Sequence, residues 1–152
     1  MTTINFESAS VQSYLNILQA VINRMAANSA ACKTWCIALV SAVIVIIADK
    51  GSPSYVWISV VPIVLFFSLD SYYLGLENRF RERYNGFIRK LHADQAEVDD
   101  VFIVTPGGGA WDTIQATIGA VWSVSVWPFY GLLVAMLVVV RVWILPAATG
   151  SG

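Results

Sequence analysis

The chain has 152 residues; 57% are hydrophobic and 12% charged, and the formal net charge is −1. A soluble domain carries about 25% charged residues, and the mean hydropathy here is +0.67. That balance excludes an ordinary water-soluble domain and predicts an all-α integral membrane protein, a single membrane domain over 1–152 with lipid as its solvent.

Residues 8–28 predict an amphipathic helix. Val11, Leu15, Leu18, Val21, Ile22 and Met25 recur at helical spacing, Gln12, Asn16, Gln19 and Asn23 fill the other face, and Ser8 or Ser10 can cap it. It either lies on the membrane surface or runs directly into the first span. No Gly or Pro intervenes before Trp35, which favours one long helix. The segment is too polar at Arg24, Asn28 and Ser29 for a cleaved signal peptide.

The first transmembrane span is expected over 30–48, with Lys33 snorkelling from its start. Asp49, Lys50, Gly51, Ser52 and Pro53 predict a turn. The second span is expected over 54–76, kinked at Pro62, which lacks a backbone donor. Its helical pattern continues through Phe80, Tyr84, Phe87 and Leu91 and projects into the cytoplasm.

Residues 77–112 form a cytoplasmic extension and loop. Val101 to Val104 is a short β-prone run, and Gly107, Gly108 and Gly109 predict a flexible hinge. They lack the Lys and Ser/Thr that a phosphate-binding loop needs. The third span is expected over 113–145, with Asp112 as N-cap, a kink at Pro128, and Trp111 and Trp143 at the two interfaces. No charged side chain interrupts it before Arg141.

Lys and Arg set the orientation. Arg24, Lys33, Arg79, Arg81, Arg83, Arg89 and Lys90 lie on one side, Lys50 and Arg141 on the other. The positive-inside rule puts the N-terminus and central lobe in the cytoplasm of a bacterial inner-membrane protein and its C-terminus in the periplasm.

No catalytic set is visible, so no enzyme, cofactor or metal is expected. Cys32 and Cys36 share a helix face, and no His or further Cys nearby completes a zinc site. They are a metal or redox pair, or two small packing residues. The only His, His92, reads as solvated.

Asp70 is the most informative charge, because an ionisable group at a membrane boundary needs a partner or water. Asp70, Tyr73, Glu77, Arg81 and Tyr84 follow three- and four-residue steps. They make either a polar ring at the mouth of an oligomeric pore or ion pairs between helices, with Arg24 or Lys33 as the partner of Asp70. Arg79, Arg83, Arg89 and Lys90 suit anionic headgroups or a cytoplasmic trigger. Ala38 with Ala42, Gly119 with Ser123, and Gly131 with Ala135 provide small-residue packing faces within one chain or between chains.

Two stretches carry a resemblance: Arg24 to Ser29 running on through Cys32, Lys33, Thr34, Trp35 and Cys36, and Leu69-Asp70-Ser71-Tyr72-Tyr73-Leu74-Gly75-Leu76-Glu77 followed by Arg79 to Tyr84. Over residues 8–91 the pattern resembles the small bacterial SLATT-like multi-span effectors associated with anti-phage defence. The resemblance implies a homo-oligomer that permeabilises or depolarises the inner membrane, on a trigger that is a nucleotide, a nucleic acid or a partner protein. The competing readings are a non-conducting scaffold that recruits a cytoplasmic partner, and a small transporter subunit. Spans with almost no internal charge argue against proton-coupled transport.

Overall fold

The structure is a computed structural model and describes residues 8–50 and 53–144. Four helices account for most of these residues, and none of them forms a strand: α1 (Ala9–Lys50), α2 (Val60–His92), α3 (Ala110–Val121) and α4 (Trp127–Val139). A 3-10 segment, Pro53–Ser59, leads into α2, and a π-helical turn, Val140–Ile144, follows α4.

α1 runs unbroken for 42 residues, since no Gly or Pro interrupts it. The Ser8 hydroxyl accepts from the Val11 amide at 3.4 Å and begins it. α1 and α2 are the two helices long and apolar enough to cross a membrane.

The described residues fall into two units. One comprises 8–28 and 72–119, the other 29–50, 53–71 and 120–144. In the first, Val11, Tyr14, Leu18, Ile22 and Met25 of α1 form a buried stripe against Phe80, Phe87 and Leu91 of α2 and against Ala96. The Tyr14 ring meets Phe87 edge-on at 4.9 Å. Gly75 lets α3 come close: a Cβ there would stand 2.9 Å from the Thr117 amide nitrogen.

In the second unit the buried apolar stripes are Cys32, Cys36, Val40 and Ile47 of α1, Val56 of the 3-10 segment with Ile63 of α2, and Tyr130, Leu133 and Leu137 of α4. The outward apolar residues of these elements stay exposed, reaching 67% at Val45, 72% at Trp57 and 72% at Leu132.

Several local expectations are corrected. The 113–145 segment is not one helix kinked at Pro128. It breaks over Trp122 to Val126, where the Ser123 carbonyl collects the amides of Val126 and Trp127. Pro128 then occupies the first turn of α4, where its missing N–H has no helical acceptor to lose. Pro62 likewise falls in the first turn of α2, after the 3-10 segment, and does not kink a helix interior. Asp112 is not the N-cap of α3. It sits at the third helical position, and its carboxylate accepts from the Gly109 amide at 2.6 Å. Val101 to Val104 form no strand, because Phe102 adopts a left-handed φ of 67° and no neighbouring strand is present to pair with. The expected turn at residues 49–53 and the C-terminal end of the third span lie partly outside the described residues.

Candidate functional site

In the second unit a polar cluster is sealed inside the apolar stripes. Ser29 and Lys33 lie one turn apart on α1. Ser29 donates to Asp70 Oδ1, and Lys33 Nζ meets Asp70 Oδ2 at 2.6 Å. Lys33 also donates to the Ser29 hydroxyl at 3.3 Å. Asp70 has no exposed surface, whereas the Lys33 side chain keeps 20% of its own. Arg24, the other candidate partner, is exposed. Ser71 beside Asp70 satisfies itself on the Phe67 carbonyl at 2.8 Å.

Tyr130 closes the cluster from α4. Its ring stands edge-on to Phe67 at 5.3 Å, and among the described residues its buried hydroxyl has no hydrogen-bond partner. Cys32 and Cys36 are buried free thiols. Among the described residues no three His, Cys, Asp or Glu side chains group as metal ligands. The chemistry of the Ser29, Lys33 and Asp70 cluster is that of a largely buried ion pair with one hydroxyl bonded to both partners.

The five residues expected to share one polar face divide among different partners. Asp70 belongs to the cluster above. Glu77 pairs with Arg81 at 2.7 Å. Tyr73 and Tyr84 pack against the apolar core of the first unit.

The four expected headgroup or trigger residues also separate. Arg79 is buried and donates to the Gly107 carbonyl and the Thr113 hydroxyl, stapling the loop and the start of α3 to α2. Gly107 and Gly108, both at φ 70°, make that approach possible. A Cβ on Gly108 would collide with Asp112 and crowd Arg79, so the glycines form a cradle for a guanidinium. Arg83 Nε donates to the Tyr14 hydroxyl at 3.4 Å, and that hydroxyl donates to the Ile103 carbonyl at 2.9 Å. Lys90 holds Asp100 at 2.6 Å. Arg89 is exposed.

Of the small-residue positions, Ala38, Ala42, Gly119, Gly131 and Ala135 are exposed. A Cβ on Gly119 would meet nothing within 4 Å. Gly75 and Tyr14 carry the close packing instead, and neither stood out in the sequence.

The bond from Lys90 holds the Asp100 carboxyl below the usual carboxylate range, aided by the Glu97 amide and the charges of Lys90 and Arg83, against partial desolvation. A carboxyl depressed in the folded state adds stability above its unfolded pKa and loses it as pH falls through the folded value. Amide-exchange protection of residues 98–101, corrected for intrinsic rates, should stay constant between about pH 8 and about pH 5 and fall only below about pH 4. Asp100→Asn should abolish the acid step. Loss of protection near neutral pH would assign it to another group.

Comparison with protein-family models, with curated proteins and with solved structures gives no match.

Proposed function

We propose that this chain is a bacterial inner-membrane protein that assembles as a homo-oligomer of at least four copies. It permeabilises the membrane when a cytoplasmic trigger reaches residues 79–112, and it is not an enzyme. One observation carries the membrane reading. Only 22% of the most apolar stretch of α1 and 28% of that of α2 is buried, whereas a core helix of a soluble protein would be mostly enclosed. Exposed apolar surface on this scale marks a lipid or protein interface.

The third crossing is made by the broken segment α3–α4. α3 has 12 residues and α4 has 13, so each spans about 20 Å, short of a core of about 30 Å. Irregular backbone at membrane depth is tolerated where it faces protein or water, so the break at Trp122 to Val126 is placed toward other copies or a lumen. Residues 8–28 and 77–112 form the cytoplasmic part. The open Gly119, Gly131 and Ala135 surfaces support close approach between copies. The resemblance over residues 8–91 supports the effector role and the link to anti-phage defence.

Native mass spectrometry from several mild detergents should give four or more copies. Gly119→Leu should reduce that number while leaving helix content intact, and a monomer throughout removes the pore. In phage-infected cells the chain should cause loss of membrane potential and uptake of a small impermeant dye. Growth arrest at stable potential favours a scaffold.

A further inference from the structure

A cavity of ≈ 240 Å³ opens beside α2 in the first unit, lined by Tyr14, Arg83, Gly86, Phe87, Lys90 and Asp100. Arg83 and Lys90 lie two helical turns apart, about 10 Å along the axis. Asp100 neutralises one charge, so the cavity keeps one net positive charge. Of the five donors on the Arg83 guanidinium, one is engaged among the described residues, at 3.4 Å. The Tyr14 and Phe87 rings form an apolar wall.

Gly86 forms the notch between the two cations. A Cβ there would meet nothing within 4 Å, so close packing does not require glycine. Glycine in a helix interior still costs about 1 kcal/mol relative to alanine. Nearby, Phe102 stands edge-on to Tyr14 at 6.1 Å in a left-handed conformation. Such strain in a residue other than glycine is enriched at ligand clamps. A basic wall, a ring wall and a notch left open at the expense of helix stability together describe a binding site.

We propose that this pocket binds a small organic anion with one flat ring. Its phosphate or carboxylate is held by Arg83 and Lys90, and its ring lies over Gly86 against Tyr14 and Phe87. The anion takes the unused Arg83 donors in charge-assisted bonds. Treating this ligand as the trigger rests on the effector reading above; its binding does not.

The test titrates phenyl phosphate, benzoate and inorganic phosphate onto the full chain in a non-ionic detergent, followed by ligand-observed NMR. One ring-bearing probe should bind saturably, at least about tenfold tighter than inorganic phosphate, and comparison of phenyl phosphate with benzoate identifies the anionic group. Arg83→Gln and Gly86→Leu should each weaken it by about tenfold or more, with the Gly86→Leu protein melting no lower than the parent. Arg89→Gln, outside the cavity, should change it by less than about twofold. Failure of both ring probes to saturate overturns the proposal, as does equal weakening by Arg89→Gln, which would mean diffuse charge attraction. Saturable, Gly86-sensitive binding by a chain that never depolarises cells upholds the site and removes the effector reading.

Discussion

Lys33→Met is expected to destabilise the protein by about 3–5 kcal/mol, the usual consequence of leaving one partner of a buried ion pair alone. Asp70→Ala should be milder, because the two partners are not equally enclosed. Asp70 has no exposed surface, and the Lys33 side chain keeps 20%. A lysine that loses its partner can swing its long stem toward water or headgroups. A carboxylate on the inner face of α2 has no such route and keeps only the Ser29 hydroxyl. Asp70→Asn should fall between wild type and Asp70→Ala, since the amide oxygen still accepts from Ser29. The double variant Lys33→Met with Asp70→Leu should regain most of the loss, because a well-packed apolar pair often matches or exceeds a buried ion pair in stability.

Unfolding titrations in one detergent of wild type, Lys33→Met, Asp70→Leu and the double variant close a double-mutant cycle. Additive single effects would mean that Lys33 and Asp70 do not couple across the helices. Recovery of stability in the double variant with loss of depolarisation in cells would assign the pair to switching between states. Recovery of both would make it a device for helix register alone.

What could be read in the sequence follows from the reach of each interaction. The continuity of α1 is legible because nothing between Ala9 and Lys50 can break a helix. Asp70 is legible as a charge in need of a partner, since it ends an apolar run. Sequence leaves Arg24 and Lys33 as equal candidates, and only helix rotation separates them. The break at Trp122 to Val126 contains neither Gly nor Pro. Pro128 marks it only when read as the first turn of a new helix. The Arg79 staple was hidden because its partners lie 28 and 34 residues onward. A guanidinium on a basic helix face therefore passes for a headgroup ligand. Tyr14 was missed because a ring with a hydroxyl fits either face of an amphipathic pattern. The hydrogen bond from its hydroxyl to Ile103, 89 positions away, fixes it inward.

Gly75 is the second position where a single atom should have a large effect. It lies within α2, where glycine is costly, and the glycine pattern of the sequence does not distinguish it from Gly86. Geometry does. A Cβ on Gly75 would stand 2.9 Å from the Thr117 nitrogen and 3.0 Å from the Ala116 carbonyl carbon and Thr117 Cα. All three are backbone atoms, so no side chain can rotate away, and α3 itself must move. Overpacking of this kind costs about 1–3 kcal/mol, partly offset in Gly75→Ala by a helix-propensity gain of up to about 1 kcal/mol. Gly75→Leu has a similar gain but far more bulk, and should separate α3 from α2. Gly86→Ala, facing open space, carries the propensity gain alone and should stabilise. The two alanine variants are thus expected to shift the melting temperature in opposite directions under identical conditions. Amide exchange in Gly75→Leu should rise first in residues 110–119 and spare the Tyr14–Phe87 core. An increase in stability for both alanine variants would mean that α3 does not cross α2 at Gly75.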